Sequence, residues 1–139
     1  MRLRRIAGEA VEQCERIDGV EVGEMVGLGA VLEEFKGDGM GVLFVLRERR
    51  EELMSLRNEV ESVMGGSEED SRVAVLVGPP GGWSSAESQL LDEAVSERIR
   101  PVSMGENVLR TETACVAAVA VVKSVWDDRK GVIEGGKDS

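Results

Sequence analysis

The chain of 139 residues contains no histidine, and its only cysteines are Cys14 and Cys115, neither with a partner at short spacing. These absences exclude most zinc sites and every catalytic triad built on an imidazole base, so no metal is expected. The two thiols read as small apolar core residues of a protein in a reducing compartment. Positive charge is also short: 17 Lys and Arg against 27 Asp and Glu leave a net charge of −10. A protein that holds nucleic acid by bulk electrostatics needs clustered cations, so any RNA contact must be local or shared. Arg2, Arg4 and Arg5, and again Arg47, Arg49 and Arg50, are the candidate patches; solvated helix faces account for them as well. No apolar run reaches the roughly 18 residues of a membrane span. The first residues, MRLRRIAGEAVEQCER, alternate charge with apolar side chains and lack a signal peptide's apolar core. Neither membrane insertion nor secretion is expected, and the cytoplasm is the expected compartment, with an organelle as the alternative.

A hydrophobic share of 42% beside a charged share of 32% is that of one soluble globular domain large enough to bury a core. Leu3, Ile6, Ala7, Ala10, Val11, Cys14 and Ile17 recur at steps of three and four and predict a first amphipathic helix, stopped by Asp18 and Gly19. Val20 to Val26 is a candidate strand and Leu28 to Phe35 a brief helix. GVLFVL, from Gly41 to Leu46, and Val73 to Val77 are bounded, continuous apolar runs, as parallel strands covered on both faces require. Helical spacing returns between Arg49 and Met64, and the polar GGSEEDSR follows as a loop. Ser84 with Glu87 predicts a capping box opening a helix to about Val95, and Ile99 to Ser103 a third strand. The last helix, Thr113 to Trp126, is rich in alanine and valine nearly all round, which predicts burial against a partner as well as its own sheet. Residues 1–126 are expected to form the domain and 127–139 a mobile tail poor in apolar surface. Strand and helix alternate, so the expected class is α/β with a mostly parallel sheet and helices on both faces.

Two stretches carry the functional signal: VLVGPPGGWS, from Val75 to Ser84, and MGENVLRTETA, from Met104 to Ala114. Each sets an apolar strand end against a Gly-containing turn that opens a helix. From neighbouring parallel strands, two such turns converge on one crevice at the strands' carboxyl ends, where α/β proteins hold ligands. GPPGGW lacks the GK[ST] ending of a phosphate-cradling loop, and no GxGxxG follows a strand, which argues against nucleotide hydrolysis and NAD binding. Gly78, Gly81, Gly82 and Gly105 either satisfy tight turns or let backbone polar groups approach a ligand, such as an adenine edge.

These residues resemble the RsmE family of uridine-N3 ribosomal RNA methyltransferases, within the SPOUT superfamily. The family's pattern is Gly-Pro-Glu-Gly-Gly, an aromatic or apolar residue and Ser, followed later by Leu-Gly and then Leu-Arg-Thr-Glu-Thr-Ala. Gly78, Pro79, Gly81, Gly82, Trp83 and Ser84 match the first motif; Gly105 and Leu109 to Ala114 match the second. Glu12, Gln13 and Arg16 fit more faintly in the first helix. Two departures stand out. Pro80 replaces the family's glutamate, removing a carboxylate and a backbone donor. The family also carries an amino-terminal barrel similar to PUA domains, whereas this chain begins at about the first helix of the catalytic domain.

The resemblance implies an α/β fold with a deep trefoil knot and a homodimer acting on small-subunit ribosomal RNA with S-adenosylmethionine as cofactor. Carried over by motif, the cofactor-binding residues are Leu76, Val77, Gly78, Gly81, Gly82, Met104, Gly105, Val108, Leu109, Arg110, Thr111 and Thr113. The catalytic candidates are Arg110 and Glu112. Arg110 could stabilise the negative charge that builds on uracil as N3 loses its proton, or serve as a loop clamp or ion-pair partner. Glu112 could be the base, or simply an acid favoured by a helix dipole. Trp83 could pack under its loop or touch a ring of the ligand, and Gln13 and Arg16 could reach RNA, a dimer mate or solvent. A catalytically inactive dimeric SPOUT domain, or a SPOUT methyltransferase with another RNA target, remains the alternative reading.

Overall fold

The computed structural model describes residues 21–36, 41–47, 52–65, 72–105 and 109–135, with side chains to residue 128. The first helix, both thiol and RNA candidates on it (Cys14, Gln13, Arg16), the arginines at 2, 4, 5, 49 and 50, and Val108 lie outside the described residues. In chain order the elements are α1 (Leu28–Lys36), β1 (Val42–Leu46), α2 (Leu56–Gly65), β2 (Val73–Leu76), α3 (Ser85–Glu93), β3 (Ile99–Val102) and α4 (Thr111–Gly135). The three strands form one parallel sheet in the order β2-β1-β3.

The central strand β1 fixes the layers, because its successive side chains point to opposite faces. Leu43 and Val45 pack with Leu32 and Phe35 of α1, Leu91 of α3 and Ile99 of β3. Phe44 turns the other way, against Leu56, Val60 and Met64 of α2, Val102 of β3, and Ala118 and Val125 of α4. Helices thus cover both faces. α2 and α3 lie on opposite faces, so the connections leaving β1 and β2 diverge and open a crevice at the carboxyl ends of the sheet.

Local rules account for several element ends. Ser84 accepts a hydrogen bond from the Glu87 backbone N–H at 3.1 Å, and the Glu87 carboxylate accepts from the Ser84 N–H at 2.8 Å, completing the expected capping box. These bonds hold the Glu87 carboxyl below its ordinary pKa of 4.5. A lowered folded-state pKa contributes stability above the unfolded value and loses it as pH falls through the folded one. The stability difference between wild type and Glu87→Gln, followed by urea unfolding across pH 2 to 7, is therefore expected to be full above about pH 4.5 and to vanish towards the acid end.

Four expectations are corrected. Residues 21–27 form no strand: Met25 is fully exposed and Val26 half-exposed, so the segment's apolar side chains find no sheet to pack on. The helix expected from Arg49 begins at Leu56 in the described residues. Ser55 bridges Ser103 beside the sheet and accepts the Asn58 N–H at 3.1 Å, which caps α2 and leaves Leu53 outside it. α4 starts at Thr111 and runs to Gly135, nine residues past the expected end at Trp126. Lys123 pairs with Asp127 at 2.8 Å, and Arg57 of α2 reaches Asp128 at 3.7 Å, so the segment expected to be a mobile tail opens as helix tied to its neighbour. Cys115 is exposed, since α4 buries its neighbours Ala114 and Ala118 instead. The same helix leaves Val116 and Val119 exposed. No helix among the described residues is long and apolar enough to cross a membrane.

Candidate functional site

The crevice at the carboxyl end of the sheet is a cavity of about 740 Å³. Its walls come from the end of β1 (Leu46, Arg47), the turn after β2 (Val77 to Trp83), the end of the β3 connection (Met104, Gly105) and the entry to α4 (Leu109 to Glu112, with Ala114). Ser88 of α3 completes it. The two motif stretches therefore meet in space; one hydrogen bond joins them directly and two others fix the first turn.

Within the first turn, the Gly82 N–H donates to the Pro79 carbonyl at 3.0 Å, and Gly81 has φ of 84°. A residue of positive φ at the third position is what a type II turn requires, and proline is favoured at the second. Pro80 thus occupies the position that favours proline, and the N–H it lacks is not the one that closes the turn. Next, the Thr111 hydroxyl donates to the Gly78 carbonyl at 3.1 Å, tying the start of α4 to the turn after β2. Finally, the Trp83 indole N–H reaches the Leu46 carbonyl at 3.4 Å, tying that turn to β1. Trp83 closes over Gly78 so tightly that a Cβ there would lie 3.1 Å from the indole. Of the readings open for Trp83, packing under the loop is the one observed, with part of the ring in the cavity wall.

Of the residues named from the sequence, Val77, Gly78, Gly81, Gly82, Met104, Gly105, Leu109, Arg110, Thr111 and Glu112 line this cavity. Leu76 does not: its side chain packs on the core cluster shared by α1 and α3. Thr113 is exposed and outside the wall, because two residues along a helix from Thr111 it has turned to the other side. Arg110 and Glu112 are exposed at the entry to α4, and no acid among the described residues is within ion-pair distance of Arg110.

The site list drawn from the sequence missed Leu46, Arg47, Ser88 and Ala114, and left the two prolines and Trp83 outside it. Arg47 is the consequential one. Its side chain is 7% exposed and pairs through Nη2 with Asp92 of α3 at 3.3 Å, while Nη1 is buried without a hydrogen-bond partner among the described residues. A charged residue immediately after a buried parallel strand was the available signal, since site residues gather at such carboxyl ends. Among the described residues no group of three or more His, Cys, Asp or Glu is placed to hold a metal ion.

A family model described as an RNA methyltransferase domain matches residues 1–123. The chain belongs to this RNA methyltransferase family. It is 30% identical over 122 residues to the ribosomal RNA small subunit methyltransferase E of Rickettsia conorii, covering 88% of this chain and 46% of that protein. It is 29% identical over 127 residues to the protein of the same name from Synechocystis sp., covering 91% of this chain and 39% of the relative. Their name is that of the RsmE family to which the two motifs pointed. The chain thus spans less than half the length of these curated relatives. Among solved structures, a Legionella pneumophila protein described as a methyltransferase in complex with its cofactor SAM superposes with a TM-score of 0.66 at 27% identity, over 88% of this chain and 45% of that one. A second, solved as a hypothetical protein, gives 0.65 at 24% identity over 87% and 61%, and supports the α/β fold.

Proposed function

We propose that this RNA methyltransferase domain binds S-adenosylmethionine in the crevice and transfers its methyl group to N3 of a uridine in small-subunit ribosomal RNA, working as a homodimer in the cytoplasm. The observation that carries the reading is the convergence of both motif stretches on one cavity of about 740 Å³, within the size range of small-molecule and cofactor sites. The donor set suits a zwitterionic nucleoside. Backbone groups of Val77 to Gly82 and of Met104 to Gly105 can read an adenine edge; Leu46, Met104 and Leu109 offer apolar surface for its ring. The relatives' shared name supports the RNA substrate, and the SAM-bound Legionella structure supports the cofactor. A SPOUT-type trefoil knot belongs to the same proposal, favoured by the return of the chain at Leu109 to Thr111 beside Gly78.

When bound, the cofactor supplies an electrophilic methyl group. The chain's own residues align and polarise the nucleophile. Arg110, exposed at the rim, is the cation that would stabilise the negative charge gathering on a uracil carbonyl. Glu112, in the first turn of α4 and in the cavity wall, is the group that would accept the N3 proton. Val116 and Val119, exposed on the same helix, favour a dimer mate.

Pro80 in place of the family's glutamate supports a second reading, a domain that binds the cofactor without turnover. Calorimetric titration with S-adenosylmethionine, followed by methyl transfer to small ribosomal subunits, tests both. Heat of binding and labelled RNA are expected; no binding rejects both readings, and binding without transfer, even with the amino-terminal barrel restored, selects the second.

A further inference from the structure

Arg47 has no part in the reaction outlined above, yet among the described residues it is the single ionisable side chain that the fold buries. It is the first residue after the central strand and stands in the wall of the crevice. One edge of its guanidinium is held by Asp92 Oδ1 at 3.3 Å, and Nη1 is buried with no hydrogen-bond partner among the described residues. A guanidinium carries five N–H donors and cannot shed its charge, so burial leaves an unmet demand for an acceptor, preferably an anionic one.

We infer that Arg47 is the receptor for the carboxylate of the cofactor's methionine part, oriented for it by Asp92. The inference rests on the cofactor reading above. S-adenosylmethionine has one anionic group, and carboxylate is the partner that guanidinium geometry matches best. An RNA phosphate is the poorer candidate, because Arg47 is only 7% exposed whereas Arg110 is free at the rim to meet RNA. Side-chain rotation on binding is common at such sites, and the 3.3 Å contact to the half-exposed Asp92 allows it.

The test uses calorimetric titration of the chain with S-adenosylmethionine and with decarboxylated S-adenosylmethionine, which lacks only the carboxylate. Wild type is expected to prefer the carboxylate-bearing ligand by about tenfold to a hundredfold. In Arg47→Gln that preference should collapse, with affinity for the decarboxylated ligand nearly unchanged. Equal weakening of both ligands would assign Arg47 to structure alone, and equal affinity of both in Arg47→Gln and wild type would also overturn the inference. The wild-type comparison decides the matter even if the variant fails to fold: no preference there refutes the carboxylate contact, whereas binding of neither ligand refutes the cofactor reading itself.

Discussion

Replacing Arg110 with alanine is expected to lower methyl transfer to small ribosomal subunits by about a hundredfold to a thousandfold, the usual effect of deleting a donor aimed at developing charge. S-adenosylmethionine affinity should stay within about threefold, because an interaction made only in the transition state lowers kcat without weakening ground-state binding. The structural basis is the placement of an exposed guanidinium at the rim, on the residue immediately before α4, with no acid among the described residues to neutralise it. Thr111, its neighbour, fixes that position through the 3.1 Å bond to Gly78. If Arg110 were instead a clamp for the loop, its loss would loosen the cofactor turn, and affinity and rate would fall together. Arg110→Lys separates charge from fork geometry: substantial recovery points to charge, and none to bidentate contact with a uracil carbonyl. Methyl transfer and calorimetry on the same preparations distinguish these outcomes.

The parts of this fold that were legible in the sequence are those settled within a few residues. VLFVL and VAVL read as parallel strands because a strand covered on both faces must be apolar throughout; VLFVL is buried at its three central residues, whereas VAVL, beside it in the sheet, is half-buried along its length. The Ser84–Glu87 box could be read because both of its hydrogen bonds lie within one turn. What failed depended on partners distant in sequence. Val20 to Val26 reads as a candidate strand, but a short segment alone cannot say whether a sheet edge is available to pair with. The start of α2 is set by Ser55 bridging Ser103, 48 positions away, and α4 continues past Trp126 where it packs on α2, with Val125 in the shared core and Arg57 reaching Asp128. In the site, the glycine turns were visible as motifs, whereas Arg47 looked like one member of a basic surface patch. Only the packing of α3 against the strand end, which brings Asp92 to the guanidinium, makes it a buried wall residue. Pro80 shows the reverse case: it breaks the family's pattern while obeying the local rule for a type II turn.

Truncating Phe44 to alanine is expected to cost about 3 to 5 kcal/mol, the range for removing a fully buried aromatic ring. Phe44 has no exposed surface and sits in the middle of the central strand, between the strands on either side and beneath α2 and α4. The cavity cannot easily close, because Leu56, Val60 and Val102 around it are themselves fully packed. Against a total stability of about 5 to 15 kcal/mol for an ordinary domain, that loss removes a large fraction of the margin. The melting temperature should fall by about 10 °C or more. Phe44→Leu, which keeps most of the volume, should cost much less, and Val116→Ala, at an exposed position, should stay within about 0.5 kcal/mol for the isolated chain. Urea unfolding of the three variants gives the comparison. The site should feel the change too: Leu46, two residues along the strand, lends its carbonyl to Trp83, so a shifted β1 loosens the turn that shapes the cavity. Cofactor affinity in Phe44→Ala should therefore weaken even under conditions where the chain remains folded. Unchanged affinity would mean that the turn is held by Thr111 and its own hydrogen bonds alone.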